Sequence, residues 1–206
     1  LLGGKYELGA TLGEGGMGMV FEGFEPRLAR KVAVKKMRPE IRSAPRERER
    51  FLAEARMVAR VKHPYIVGIH DVVEEGDEIY LILDHVEGGT LADALLTRGR
   101  FPLTECKEIF RYICEAVDFA HRKNVLHRDL KPANIMINKE GFAMVMDFGL
   151  AREAKETMSR MTHRDSSGSP AYMAPEQHLG ECGRPSDLYA LGVMLYEMAT
   201  GDLPFL

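Results

Sequence analysis

The strongest chemical signal is the run His127-Arg128-Asp129-Leu130-Lys131-Pro132-Ala133-Asn134, followed downstream by Asp147-Phe148-Gly149. Asp129 is a carboxylate that can take the proton from a hydroxyl nucleophile. Asn134 and Asp147 offer hard oxygen ligands, which suit a Mg2+ ion holding a polyphosphate. Lys131 adds positive charge where a transferring phosphoryl group gathers negative charge.

Two other patterns are weaker alone. Gly13, Gly15 and Gly18 form a G-x-G-x-x-G within Gly13-Glu14-Gly15-Gly16-Met17-Gly18. Glycine lets main-chain N–H groups approach phosphate closely. A dinucleotide fold would continue into a helix with an acidic residue about 20 positions on. Here a strand-like run, Met19–Glu22, follows instead, and a glycine-rich hairpin turn reads equally well. Lys35 closes the apolar run Val32-Ala33-Val34. Buried, it needs an anion, and Glu54 or a phosphate would serve; at a strand end it could equally extend its head to solvent.

These residues need elements to hold them. Short β-rich runs around Tyr6–Leu8, Met19–Glu22 and Lys31–Lys35, separated by Gly and Pro, predict an antiparallel meander. Ser43 and Pro45 predict a helix start, with Phe51, Ala55 and Val58 on one face. Strands are expected near Ile66–Val73 and Glu78–Leu83, joined by Glu75-Gly76-Asp77. Thr104 is expected to cap a long helix that buries Ile109, Ile113, Ala116, Val117 and Ala120, with Asn124 ending it in a left-handed conformation. Short strands near Ile135–Ile137 and Ala143–Met146 bracket a loop system. Ser186 is expected to cap an apolar helix, Leu188–Met198, stopped by Gly201 and Pro204. The first ~85 residues are thus mostly β with one helix and the remainder mostly α.

Composition narrows the class. The chain has 206 residues, 45% apolar, enough for a core, and a net charge of −3 that calls for neither nucleic acid nor an anionic membrane. Residues 27–62 are nonetheless basic, with 13 Lys/Arg against 4 Asp/Glu. The simplest reading is a solvated helix face. Three cysteines, at 106, 114 and 182, show no CxxC spacing, so neither a disulfide framework nor a zinc site is expected, and a reducing compartment is. No apolar run approaches the about 20 residues of a membrane span.

With Gly168-Ser169-Pro170-Ala171-Tyr172-Met173 and Ala174-Pro175-Glu176 added, the ordered set of motifs resembles the eukaryotic-type protein kinase family in its Ser/Thr branch. The wording of the glycine loop is similar to bacterial members. The resemblance implies an α+β, two-lobed protein-kinase fold: an antiparallel β-sheet N-lobe with one main helix over residues 1–86, a hinge near 84–87, and a mostly α-helical, partial C-lobe over 87–206. It implies an activation segment over 147–176. It implies ATP-dependent phosphorylation of Ser/Thr hydroxyls, with ATP and Mg2+ as the cofactors and Mn2+ as an alternative metal.

By that resemblance Gly13, Glu14, Gly15, Gly16 and Gly18 cover the ATP phosphates. Lys35 holds the α/β-phosphates and pairs with Glu54. Asp129 is the base, Lys131 steadies the γ-phosphate, and Asn134 and Asp147 bind the metal. Val20, Ala33 and Met136 sandwich adenine, Leu83 is the gatekeeper, and the backbones of Asp84 and Val86 bond the adenine edge. Ser169 stands where the family usually has Thr for substrate docking. Val58, Ile69 and Phe148, with His127, match the family's stacked regulatory spine, which as core packing is the same claim. Arg128 and Arg152 would read a phosphate on the activation segment, and Thr162, Ser166 and Ser167 are the foremost autophosphorylation candidates, each equally readable as a solvated loop residue. The basic stretch then gains a second reading, as a receiver for that phosphate.

Departures are also visible. Tyr189 stands where Trp is common, while Asp187 is kept and would bond the backbone of the catalytic loop. The chain ends in a segment that the family follows with further helices, including one supplying an arginine partner for Glu176; a fragment is therefore expected, with an exposed patch on the Leu188–Met198 helix. Protein substrates with Ser/Thr, self-association as a route to autophosphorylation, no nucleic acid and no membrane segment in these residues complete the expectation. The location expected is cytoplasmic, or the cytoplasmic domain of a membrane-anchored kinase. A pseudokinase scaffold is disfavoured by intact Lys35, Asp129, Asn134 and Asp147. A small-molecule phosphotransferase would not need Lys131, Ser169 or Ala174-Pro175-Glu176.

Overall fold

The computed structural model describes residues 1–15, 18–38, 45–148 and 170–205. They form two compact units. The first holds residues 1–60 and 68–86; the second holds the described residues of 61–67, 87–148 and 170–205.

The first unit is a five-stranded antiparallel sheet, β1 (Glu7–Gly15), β2 (Gly18–Glu25), β3 (Arg30–Met37), β4 (Ile69–Glu75) and β5 (Glu78–Asp84), in the order β1-β2-β3-β5-β4. The expected meander is present. Side chains alternate faces along a strand, so register decides what sits together. Val32, Val34, Tyr80 and Ile82 share one face, sealed by Leu2, Tyr6, Val73 and the partly buried Phe21. Lys35 and Met37 fall on the other face, opposite Leu81 and, through the same register, beside buried Ile79. Helix α1 (Pro45–Val58) packs on β4, with Phe51, Ala55 and Val58 all buried as their spacing predicts. Pro45 opens it, as its fixed φ favours; Ser43 lies outside the described residues.

The second unit is built on α2 (Leu91–Arg98), α3 (Leu103–Arg122) and α4 (Arg184–Thr200), with a three-stranded sheet of β6 (Gly88–Thr90), β7 (Ile135–Asn138) and β8 (Ala143–Val145). The segment 61–67 joins this unit through Val67 N–H donating to Val145 O and Val145 N–H donating to Tyr65 O. Tyr65 packs its ring near those of Tyr112 and Phe142.

Two capping expectations are corrected. Thr104 lies inside α3, which begins at Leu103 after Pro102, and makes no cap. Proline's extended ψ already turns the chain into the helix, and the Cys106 amide bonds the Pro102 carbonyl. Ser186 is in the third position of α4, not before it: the cap residue is Gly183, and Ser186 Oγ accepts from the Gly183 amide at 3.1 Å. Asn124, at φ +58°, ends α3 left-handed as expected, and Gly201, at φ +84°, ends α4 in the same conformation. Leu188, Leu195 and Tyr196 are exposed on α4, which fits the expected apolar patch. Among the described residues no helix is long and apolar enough to cross a membrane.

Gly18 sits at φ +146°, and a Cβ there would lie 1.9 Å from the Lys36 carbonyl oxygen, a backbone atom that cannot swing aside. Gly18→Ala should therefore lose about 1–3 kcal/mol of folding stability, read as a lower urea midpoint. An unchanged midpoint would mean that the β2–β3 approach is not tight in solution.

Candidate functional site

In the first unit, register gathers the adenine and phosphate candidates. Val20 pairs with Lys35, and Ala33 pairs with Leu83, so these four side chains share a face. Gly13 and Gly15 lie on β1, opposite Val20 and Gly18 of β2. Glu14 is exposed on the same strand. Lys35 is 5% exposed. Glu54 is half-buried on α1, and both it and Lys35 have interaction partners. Leu83 is half-buried near the end of β5. Asp84 is held from two sides: its carboxylate accepts from the Gly68 amide at 2.7 Å and lies 2.7 Å from His70 Nε2. Its own amide donates to Gly68 O at 3.0 Å. Val86 follows outside any strand or helix. Val58 and Ile69 are buried in this unit's core.

The second unit gathers the catalytic candidates. The segment from Val125 to Lys131 has no regular ladder, so side chains must satisfy its backbone. Asp187, 1% exposed on α4, does this. Its Oδ2 accepts from the His127 amide at 2.9 Å and lies 2.7 Å from His121 Nε2; its Oδ1 accepts from the Arg128 amide at 2.8 Å. Arg128 is thereby held at φ +69°, a left-handed conformation unusual for a residue with a side chain. Next in the chain, the Asp129 Oδ2 lies 2.9 Å from Lys131 Nζ and 3.3 Å from Asn134 Nδ2. Asn134 Nδ2 also donates to the Asp129 carbonyl at 2.7 Å.

The β7–β8 hairpin brings the two metal-ligand candidates to one end. Ile135 pairs with Val145, and the Met146 amide donates to the Asn134 carbonyl at 3.0 Å. Asp147 follows at φ +63°. With Asn134 Nδ2 engaged by Asp129, its Oδ1 is the atom left for a cation. Among the described residues no group of three or more His, Cys, Asp or Glu side chains could cage a metal. One amide and one carboxylate fit Mg2+, which keeps waters and takes substrate phosphates rather than an all-protein shell. Met136 is half-buried on β7.

His127 couples this hairpin to the loop bearing Asp129 and Lys131. It is fully buried, its Nε2–H donates to the Met146 carbonyl at 2.9 Å, and its Nδ1 accepts from the Asp129 amide at 3.3 Å. Its ring centroid is 4.8 Å from that of the buried Phe148. One donor and one acceptor nitrogen require the neutral ring. Burial pushes its pKa down, outweighing the opposite pull of Asp187 and Asp129.

Three functional contacts escape sequence reading. His121 reaches Asp187 from the last turn of α3. Gln177 donates from Nε2 to the Arg128 carbonyl at 3.2 Å, while its Oε1 accepts from the Ala174 amide at 3.0 Å, tying two motifs together. Glu176, for which no partner was foreseen, accepts a 2.8 Å bond from Ser186 Oγ, a correction arising from the early start of α4. Only the presence of polar residues beside the recognised motifs hinted at these. Gly16, Arg152, Thr162, Ser166, Ser167 and Ser169 lie outside the described residues.

Residues 6–206 match the family model described as the protein kinase domain. The chain is 40% identical over 216 residues to the "Probable serine/threonine-protein kinase PknB" of Bifidobacterium longum, covering 100% of this chain and 31% of that protein. It is 40% identical over 208 residues to the serine/threonine-protein kinase PknB of Mycolicibacterium smegmatis, covering 98% and 33%. It is 39% identical over 207 residues to that of Mycobacterium tuberculosis, covering 98% and 33%. The chain spans about a third of the length of the relatives it matches.

The neutral His127 predicts a pH effect on stability. The unfolded residue protonates near its ordinary 6.5, whereas the folded one resists. Below that value the unfolded state binds the extra proton, so stability should fall as pH drops, at a limiting slope of about 1.4 kcal/mol per pH unit. Urea midpoints between pH 7 and 5 should fall more steeply in the native protein than in His127→Phe. Equal slopes would contradict the assignment.

Proposed function

The chain belongs to the protein kinase domain family, and on that premise we propose that it phosphorylates Ser/Thr hydroxyls of proteins with Mg-ATP. The observation that carries this reading is the fixed Asp129 carboxylate, with Lys131 and Asn134 on one oxygen and Asp147 next to the residue bonded to Asn134. Asp129 takes the proton of the attacking hydroxyl. Lys131 follows the developing negative charge on the phosphoryl oxygens. Asn134 and Asp147 would hold Mg2+, which would supply positive charge to offset that of the phosphates.

Lys35, paired with Glu54, anchors the α/β-phosphates beneath Gly13, Glu14, Gly15, Gly16 and Gly18. Val20, Ala33 and Met136 flank adenine, Leu83 limits the depth of its site, and the backbones of Asp84 and Val86 bond its edge. The lobe boundary lies near 84–87, and 147–176 is the activation segment, with Arg128 and Arg152 receiving a phosphate from Thr162, Ser166 or Ser167. Ser169 docks the substrate. A depression of about 450 Å3 lies beside Lys131, lined also by Leu95, Leu96, Tyr172 and Glu197, and Lys131, Ser169 and Ala174-Pro175-Glu176 favour a polypeptide acceptor over a small molecule. Self-association for autophosphorylation and a cytoplasmic location belong to the same proposal.

Asp129→Asn should lower phosphate transfer to a generic protein substrate about 10²–10⁴-fold, while Mg-ATP still raises Tm as in the native protein. Undiminished transfer would remove Asp129 as base.

A further inference from the structure

We propose that the Asp84 carboxylate is a positioning group for the nucleotide base: it takes the place of its own main-chain carbonyl in the β4–β5 ladder, and so leaves that carbonyl for the amino group of adenine. The adenine site itself rests on the kinase reading above.

Strands β4 and β5 pair Ile69 with Leu83, so the next pair outward in that register is Gly68 with Asp84. A hydrogen-bonded antiparallel pair exchanges two main-chain bonds, each amide donating to the other residue's carbonyl. Here one of the two is made, with the Asp84 amide donating to Gly68 O at 3.0 Å. The return bond is diverted. The Gly68 amide donates to Asp84 Oδ2 at 2.7 Å, and among the described residues it makes no backbone bond to the Asp84 carbonyl. A carboxylate is the stronger acceptor. It frees the carbonyl from the ladder without leaving the Gly68 amide unsatisfied.

Two features hold the carboxylate in that role. Its other oxygen lies 2.7 Å from His70 Nε2. His70 is the extra residue of a bulge, since Ile69 faces Leu83 while Asp71 faces Ile82, and a bulge re-aims a side chain. Gly68 leaves the space the carboxylate needs, because a Cβ there would stand 2.8 Å from Oδ2. The pair with His70 is partly open to water, so its worth lies in orientation more than in charge. On its other flank Asp84 pairs with Val32, beside the Ala33–Leu83 pair of the base site. A carbonyl fixed there accepts from the 6-amino group of adenine and opposes the 6-oxo group of guanine. The carboxylate therefore sets base preference as well as affinity.

The test measures Kd for Mg-ATP and Mg-GTP by calorimetry, and KM for each in phosphate transfer, on the full-length protein. Native protein is expected to prefer ATP. In Asp84→Ala the Gly68 amide regains the carbonyl of residue 84, so Mg-ATP should bind about tenfold more weakly, the loss of one good hydrogen bond, while Mg-GTP binding holds steady. Asp84→Asn, whose Oδ1 can still accept from Gly68, should bind Mg-ATP as native protein does. Gly68→Ala, which displaces the carboxylate from a position that touches no base, should repeat the rise in KM for ATP with kcat unchanged. A group that merely stabilised the fold would weaken both nucleotides alike. That result, or Asp84→Asn as impaired as Asp84→Ala, or an undiminished ATP preference in Asp84→Ala and Gly68→Ala, overturns the proposal. So does native protein with no preference for ATP. A preference that Asp84→Ala abolishes, in a protein that transfers no phosphate, leaves the proposal standing and fails the kinase reading; transfer with the preference intact in both variants does the reverse.

Discussion

A single buried carboxylate organises the segment from His127 to Lys131. Asp187 is almost wholly removed from water, a state that costs several kcal/mol unless hydrogen bonds compensate. Three donors do so, from the end of α3 and from the backbone of His127 and Arg128. The dependence runs both ways. The carboxylate tolerates burial only with those donors, and two loop amides without strand or helix partners are satisfied only by it. Arg128 can stay in its left-handed conformation because both flanking amides are fixed. The direction in which the chain presents Asp129 follows from that.

From this anchor the constraints pass outward through neutral, directional bonds. His127 joins the loop to the β7–β8 hairpin only as an uncharged ring, so a proton there would undo the junction. The hairpin in turn sets Asn134 and Asp147 at one end. Gln177 clamps the Arg128 carbonyl to the Ala174 amide, and Ser186, one residue before Asp187, receives Glu176. The first turn of α4 therefore holds both the His127–Lys131 segment and the Ala174–Gln177 segment.

Much of this was legible in the sequence, and the limits have physical causes. The strands followed from short β-rich runs between Gly and Pro, and the faces of α1 and α3 from helical spacing, because burial imposes period on sequence. Asp129, Lys131, Asn134, Asp147 and Asp187 were legible because their types and spacing repeat a family pattern. Thr104 and Ser186 misled because a good capping side chain says nothing of whether Pro102 or Gly183 turns the chain first. His121, Gln177 and the Glu176–Ser186 bond are contacts between residues distant in the chain or unmarked by periodicity, set by tertiary packing alone. The left-handed Arg128 and Asp147 are likewise products of the surrounding bonds, since neither residue type demands such a conformation.

The most direct test of Asp187 as organiser is the joint measurement of kcat and Mg-ATP affinity in Asp187→Asn. The amide keeps one acceptor but turns an N–H toward a site that already holds donors. The account predicts a kcat lowered by at least about tenfold with nucleotide affinity little changed and a folded protein of reduced stability, near 1–3 kcal/mol below native. A kcat equal to the native value in a protein that is less stable by that amount would contradict it, because the loop would then hold Asp129 without the carboxylate.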